Sequence, residues 1–562
     1  MRRSSSIIGF LVIVLQTFEL CQSNRPNLYY VEQSVIQLDG SESKIIQSSS
    51  TTATLPTLST CPPPELLRPC QCESNNRGTT GVQSMLSCSG TSMRGPRVSV
   101  EQTLQRISKR LAHRSKQFDW LRLSNLDELR KLTRNFFAGL RFRNLVIENA
   151  PKLQYIHPSA FKLVTNQLRF FYAYNTALDL YRRRPTMPPF GTLRNLTEMH
   201  IASKRNICPP KEMIKPCVCT VQDQSLLPFE IKRQTLQLRC VSTRGTTFNV
   251  SRIFKRLTEF GHNTNQTEWY FDEVIIRNVT ELYPNTFGMV DFAELHIEES
   301  PLLDRITANV FRNGNTLQKL RISGTNFASE RLSVTFDALN SLPLLRSLFI
   351  WSANFEFVPE YAFSRVQPYL KEVVLYGNNI RAIGSYAFSG LSNLDQLRID
   401  GNNIILVDKY TFATNYTSTE PLLITLISNN FRESSFAFMA LNGARRPLHI
   451  ALAEVGGCFW EMEYLDESIF APFLDQSSNR LYLEPECELK CDLCEMKWLI
   501  EMPKHAQRRI MLLPDSPYRE NGTSTTTNTA TTAAVEIDGY VPCDGGANLF
   551  EIYDDIDWDQ CI

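Results

Sequence analysis

Cysteine is the residue type whose spacing in this chain most directly limits the chemistry. Residues 61–72 read CPPPELLRPCQC and residues 208–219 read CPPKEMIKPCVC. Each phrase is Cys-x8-Cys-x-Cys, and each is followed by a fourth cysteine, Cys88 or Cys240. Four such thiols can close two disulfides or surround a tetrahedral zinc ion. A third group, Cys458, Cys487, Cys491, Cys494, Cys543 and Cys561, contains the Cys-x-x-Cys phrase CDLC, the spacing of dithiols that act in redox exchange. The choice depends on the compartment. Met1-Arg2-Arg3, the apolar run Ile7 to Leu15 and the small residues near Ser23 have the form of a secretory leader over residues 1–23. Its removal takes Cys21 from the fifteen cysteines and leaves an even number, which suits an oxidising, extracellular setting. Secretion and the x8-x spacing favour disulfides over zinc, and no βαβ pattern surrounds CDLC to support a redox role.

Other reactive groups form no constellation. The histidines, His113, His157, His200, His262, His296, His449 and His505, are scattered, and no two stand at metal-binding spacing. HExxH, GxxxxGK[ST], GxSxG and GxGxxG are absent. The expectation is therefore no catalytic residue, no cofactor and no metal site. After the leader no apolar stretch approaches the roughly 20 residues that span a bilayer, so no membrane span is expected. Sequons at Asn195, Asn249, Asn265, Asn278, Asn415 and Asn521 agree with a secreted glycoprotein.

The elements that must position these groups are repeats. Strand-like phrases recur, among them ELHIEES (294–300), KLRISGT (319–325), SLFIWSA (347–353), EVVLYGNN (372–379) and QLRIDGNN (396–403). One register residue from each gives Ile276, Ile297, Ile322, Ile350, Leu375, Ile399, Leu426 and Ile450, spaced by 21, 25, 28, 25, 24, 27 and 24 residues. An earlier series is Leu123, Ile147, Ala173 and Ile201. This is the period of leucine-rich repeats. About midway in each repeat stands a phenylalanine, Phe137, Phe161, Phe287, Phe311, Phe336, Phe363, Phe388, Phe412 or Phe438, which a coil of this size uses to fill its interior. Asparagines in LYGNN, RIDGNN and LISNN suit the turn that leaves the strand.

A solenoid exposes an apolar edge at each end and needs atypical caps. The two cysteine phrases stand directly before the two series, so the chain starts a solenoid twice. The expected fold is a leucine-rich-repeat solenoid of α/β class, with short parallel strands on a concave face, an irregular convex side, disulfide caps and two tandem segments. The expected organisation is a leader (1–23), a Ser/Thr-rich disordered segment (24–60), a first cap (61–100), a first repeat segment (101–207), a second cap (208–250), a second repeat segment (251–457), and a C-terminal cap (458–562) with a Thr-rich insert (519–535).

Spacing alone leaves three pairings open for each set of four cysteines. The two clusters resemble the amino-terminal cap of extracellular leucine-rich-repeat proteins, and the resemblance implies Cys61 with Cys72, Cys70 with Cys88, Cys208 with Cys219, and Cys217 with Cys240. CDLCEMKWLI resembles the carboxy-terminal cap phrase, in which Trp-Leu follows a cysteine after four residues, here Cys494 and Trp498-Leu499. It departs from that phrase in having two residues between Cys491 and Cys494. The bridges expected there are Cys491 with Cys543, Cys494 with Cys561, and Cys458 with Cys487. The whole is similar, over roughly residues 61 to 500, to arthropod secreted proteins of the oplophorus-luciferin 2-monooxygenase non-catalytic subunit family. That resemblance implies an accessory, non-enzymatic polypeptide, although a second cap departs from the family's simplest single-solenoid form.

Alternation along the strands sends the residues between the core positions to the concave face. Arg321, Ser323, Phe349, Trp351, Val374, Tyr376, Arg398 and Asp400 belong to that set. Large aromatics flanked by arginines have the composition of a binding hot spot, so Arg321, Phe349, Trp351, Tyr376, Arg398 and Asp400 form the candidate ligand site. The overall charge of +1 hides an asymmetry: residues 61–207 carry 24 basic and 9 acidic side chains, and residues 208–562 carry 31 and 45. Arg106, Lys109, Arg110, Arg114, Lys116, Arg182, Arg183 and Arg184 are candidates for holding a polyanion such as a sulfated glycan, with docking on the acidic half as the competing use. The function expected is recognition of an extracellular protein or matrix component. The alternatives are an accessory subunit that stabilises a secreted enzyme such as a luciferase-like monooxygenase, and innate recognition of microbial or sulfated polysaccharide. Nucleic acid is not expected as a partner.

Overall fold

In the computed structural model, strand order follows chain order. The structure describes residues 61–75, 83–90, 99–112, 116–157, 159–165, 167–178, 193, 196, 198–202, 208–226, 231–241, 249–263, 269–311, 316–365, 367–414, 416–453, 461–512, 539–556, 558 and 561. The expected leader (1–23), the segment 24–60 and the insert 519–535 lie outside them.

Among the described residues the first sheet holds β1 (Gln71–Asn75), β2 (Gln83–Ser89), β3 (Gln117–Ser124), β4 (Arg141–Ala150), β5 (Phe170–Thr176) and β6 (Glu198–Ala202), in that order. The second begins anew with β7 (Val218–Leu226) and β8 (Ile231–Val241). It continues through β9 (Trp269–Arg277), β10 (Val290–Glu298), β11 (Lys319–Ser323), β12 (Ser347–Trp351), β13 (Glu372–Tyr376) and β14 (Gln396–Arg398). It ends with β15 (Leu422–Thr425), β16 (Leu448–Leu452), β17 (Arg480–Leu483) and β18 (Ile510–Leu512). The last two strands carry the sheet into residues expected to be cap. Each sheet opens with an antiparallel hairpin, and every later pair is parallel.

The hairpins are the duplicated caps. Disulfides join Cys61 to Cys72, Cys70 to Cys88, Cys208 to Cys219 and Cys217 to Cys240. Cys88 lies beside Leu123 and Cys240 beside Ile276, so each cap is welded to its solenoid at the core-facing register position. A helix follows each hairpin, α1 (Val100–Arg110) and α2 (Val250–Asn263). Val100, Leu104 and Ile107 in the first, and Val250, Ile253, Phe254 and Leu257 in the second, fall at helical spacing and are buried.

The core is layered as the period requires. Ile276, Ile297, Ile322, Ile350, Leu375, Ile399, Leu426 and Ile450 are all fully buried. The phenylalanine column stacks: ring centroids lie 5.7 Å apart for Phe137 and Phe161, 6.0 Å for Phe287 and Phe311, 5.8 Å for Phe363 and Phe388, and 6.0 Å for Phe388 and Phe412. Phe438 departs from the expectation and is 64% exposed. In its coil a 3-10 turn, Glu433–Ser435, delivers Phe436 inward instead, where that ring packs 5.3 Å from Phe431 and 5.6 Å from Phe470.

The asparagines act at the exit turns. Asn378, Asn402 and Asn429 donate side-chain N–H bonds of 2.8–2.9 Å to the carbonyls of Ile350, Leu375 and Ile399, each one coil back. The Asn378 and Asn402 carboxamide oxygens accept from the backbone N–H groups of Ala353 and Asn378. The next asparagine, Asn379, sits at φ +64°, a region that a short amide tolerates.

At the far end, disulfides join Cys491 to Cys543 and Cys494 to Cys561. Cys487 is also disulfide-bonded, and its expected partner Cys458 lies outside the described residues. The Trp498 indole donates to the Leu465 carbonyl at 2.9 Å and closes that edge. The two sheets touch where Leu193, Leu196 and Met199 join Leu344 and Tyr369 in one apolar cluster. There the Arg346 guanidinium donates to the Leu196 carbonyl at 2.5 Å. Among the described residues no helix is long and apolar enough to cross a membrane.

The ladder predicts a sharp contrast. Phe388→Ala should lower the unfolding free energy by about 3–5 kcal/mol, whereas Phe438→Ala should stay within about 0.5 kcal/mol of wild type. Denaturant titration of the two variants checks it.

Candidate functional site

Parallel register lines the concave face of the second sheet with rows that run across the strands. One row places Ile275, His296, Arg321, Phe349, Val374 and Arg398 side by side. A second places Glu273, Glu294, Lys319, Ser347 and Glu372 side by side. On the other flank Arg277 faces Glu298, and Ser323, Trp351 and Tyr376 are abreast.

Five of the six expected ligand residues therefore share one surface. Phe349 and Trp351 are half-buried, and Tyr376 is 54% exposed. The Arg321 guanidinium lies 5.2 Å from the Phe349 ring centroid and the Lys319 ammonium 5.9 Å, so two cations face the ring. A Cβ at Gly401, where φ is +62°, would come within 3.0 Å of the Tyr376 ring, so glycine there leaves the ring its place. Asp400 differs from the expectation. It is 4% exposed, it accepts from Arg398 Nε at 3.0 Å and from the Ile427 backbone N–H at 3.0 Å, and both oxygens are thus used inside the solenoid. A carboxylate at that position bonds the backbone of the following coil, as the asparagines bond that of the preceding one, and so is drawn inward.

Of the expected polyanion residues, Arg106, Lys109 and Arg110 are exposed on α1 and Lys116 is half-buried before β3. Arg114, Arg182, Arg183 and Arg184 lie outside the described residues. Of the sequons, Asn249 is exposed and caps α2 by accepting from the Arg252 N–H, and Asn278 is half-buried in a turn at φ +62°. Asn195, Asn265, Asn415 and Asn521 lie outside the described residues.

Two clusters escaped the sequence reading. On the first sheet Trp120, Phe170 and Tyr172 stack in series at 6.3 and 6.4 Å, beside buried Met85 and Val146. The alternation in WLRLS and FFYAY carries that signal. On the second sheet His296, 7% exposed, stands among glutamates. Its Nε2 is 3.3 Å from Glu273 Oε1 and 3.6 Å from Glu294 Oε2, and its Nδ1 is 3.5 Å from Glu298 Oε1. Glu298 also accepts from Arg277 Nε at 2.8 Å, and Lys319 lies 3.9 Å from Glu294. Each sits on the outward alternation of its strand, but partners 21 residues apart meet only through strand register.

These neighbours move the titrations. Burial opposes a charge on Glu294, but His296, Lys319 and Arg321 outweigh it and bring its pKa to about 2. Pairing with His296 brings Glu298 to about 2 against its burial, helped by Arg277. Burial pulls His296 down, and Glu294 and Glu298 override it, so its pKa rises. Burial raises Glu372 despite Arg398 and Lys319 nearby.

A family comparison agrees with the repeats over one stretch of the second solenoid. Residues 343–404 match the family described as Leucine rich repeat. No curated protein sequence matches the chain. Among solved structures, TLR13 in its complex with ssRNA13 is similar at 16% identity and a TM-score of 0.29, over 66% of this chain and 49% of that one. An internalin, InlF, of Listeria monocytogenes is similar at 12% identity and a TM-score of 0.24, over 63% and 87%. Toll, from the Drosophila Toll–Spatzle complex, is similar at 11% identity and a TM-score of 0.27, over 79% and 58%. This chain thus spans about half of the first of these chains. Its fold is a leucine-rich-repeat solenoid closed by disulfide caps.

The carboxylate shifts carry a sign. A lowered pKa contributes stability that is present above the ordinary value of 4.5 and lost as pH falls towards about 2. The raised His296 pKa contributes stability present below 6.5 and lost as pH rises through the folded value. Glu298→Gln should therefore flatten the acid limb of a plot of unfolding free energy against pH, measured by denaturant titration from neutral pH to pH 2.

Proposed function

We propose that this is a secreted, non-enzymatic recognition protein that binds another protein or a matrix component on the concave face of its second solenoid. Phe349, Trp351 and Tyr376 anchor the contact, and Arg321 and Arg398 rim it. The observation that carries this reading is the register that sets Phe349 and Trp351 on one strand and Tyr376 on the next, with Tyr376 half exposed and Phe349 faced by two cations. Rigid aromatics give up little conformational freedom on binding, and with arginine they dominate hot spots. The disulfides at both caps and at the far end support an oxidising, extracellular setting. An accessory subunit bound to a secreted enzyme would use the same surface, with the enzyme as the partner.

The test is affinity capture from the extracellular fraction, identification by mass spectrometry and titration with the purified partner. Trp351→Ala and Tyr376→Ala should each weaken binding by about 2 kcal/mol or more, roughly 30-fold in Kd. Unchanged binding by both variants removes this face as the site. A stoichiometric enzyme in the captured fraction favours the accessory role, and broad association with matrix favours the structural one.

A second reading, a sulfated glycan on the first solenoid, is favoured by exposure of Arg106, Lys109 and Arg110 on one helix. Heparin retention should persist well above physiological salt and fall when the three are changed to serine. Elution of the wild type at physiological salt removes this reading.

A further inference from the structure

The His296 cluster has the parts of a metal site. The ring is buried, and Nε2 has no hydrogen-bond partner among the described residues. Carboxylate oxygens of Glu273 and Glu294 nevertheless stand 3.3 and 3.6 Å from that nitrogen. Three ligand atoms around a tetrahedral ion, each about 2.0–2.2 Å from it, are about 3.4 Å from one another. The two histidine-to-glutamate separations already have that size, and the three donor atoms all lie within 4.8 Å of one another.

The surroundings orient the imidazole for this role. Nδ1 faces Glu298 at 3.5 Å, and Arg277 holds Glu298 in turn. In the neutral ring a carboxylate on Nδ1 keeps the proton on that nitrogen and leaves the Nε2 lone pair facing Glu273 and Glu294, which is how an outer carboxylate orients a ligand histidine. Glu273 and Glu294 are register partners, as are Ile275 and His296, so neighbouring strands of one sheet fix the donors. One imidazole nitrogen and two carboxylates suit zinc and its neighbours. Calcium needs six or more oxygens, and magnesium keeps an octahedral shell of them.

We propose that Glu273, Glu294 and His296 bind one divalent transition-metal ion of the zinc type, with the fourth position left to water or to a donor from a partner. The site adjoins the aromatic patch through Lys319 and Arg321, and it goes beyond the recognition reading because binding of the ion needs no partner. The competing arrangement is an imidazolium held between glutamates with no affinity for metal.

Zinc chloride titrated by calorimetry into the metal-free, full-length protein near neutral pH tests it. The expected result is one site per chain that is lost in His296→Ala and weakened at least tenfold in Glu294→Gln. Glu298→Gln, which removes the orienting carboxylate, should weaken it roughly tenfold or more. Cobalt gives a second readout, a four-coordinate visible spectrum in the wild type that His296→Ala lacks. Circular dichroism establishes that each variant is folded. Should His296→Ala fail to fold, Glu273→Gln and Glu294→Gln decide, since both change half-buried carboxylates at nearly constant shape. Equal stoichiometry and affinity in the wild type and the folded variants, or no zinc bound by the wild type, overturns the proposal.

Discussion

The structure depends on lateral register between parallel strands. One coil of about 25 residues cannot bury its own interior. It becomes stable only when the next coil lies on it with equivalent residues abreast, as Ile276, Ile297, Ile322, Ile350 and Leu375 do on β9 to β13. A slip by one residue would turn that column towards solvent and the charged rows into the core. The first strand has no neighbour to set its register, and the antiparallel hairpins supply one. Cys88 and Cys240 then fix the hairpin where the core column starts. Their bridges close chain separations of 18 and 23 residues, worth about 3 kcal/mol each by the loop-entropy argument.

The constraint that builds the core also builds the surface. Residues with no relation in sequence become neighbours because each holds the same place in its coil. Lys319 and Arg321 come over the Phe349 ring in this way, and Glu273 and Glu294 come round His296. Asp400 and the asparagines mark the inner limit of the principle. A short polar side chain at the exit turn is drawn inside to satisfy the backbone of the adjoining coil, so it is lost to the concave face.

Whatever repeats with the period was legible in the sequence, and whatever depends on a single coil or on contact across coils was not. The isoleucine column and most of the phenylalanine ladder recur often enough to stand out from any one strand. Spacing does not distinguish Phe438 from Phe436, since the two stand two residues apart and a 3-10 turn decides which enters the core. The helix α2 carries an i, i+3, i+4, i+7 apolar pattern at Val250, Ile253, Phe254 and Leu257, and α1 carries part of it at Val100, Leu104 and Ile107, but each helix occurs once per cap and so lies outside the repeat period. The spacing of histidines alone does not show the His296 cluster, because the groups that meet it are glutamates on the same and the preceding strand.

The opposite charges of the two halves raise the question of whether they neutralise each other. The described contact between them is apolar, made by Leu193, Leu196 and Met199 against Leu344 and Tyr369. The charged group described there, Arg346, comes from the acidic half and donates to a backbone carbonyl. That guanidinium meets a backbone dipole and the face of the Tyr369 ring, 5.8 Å from its centroid. Arg106, Lys109 and Arg110 remain exposed on α1. The described join between the solenoids therefore leaves those three cations facing solvent.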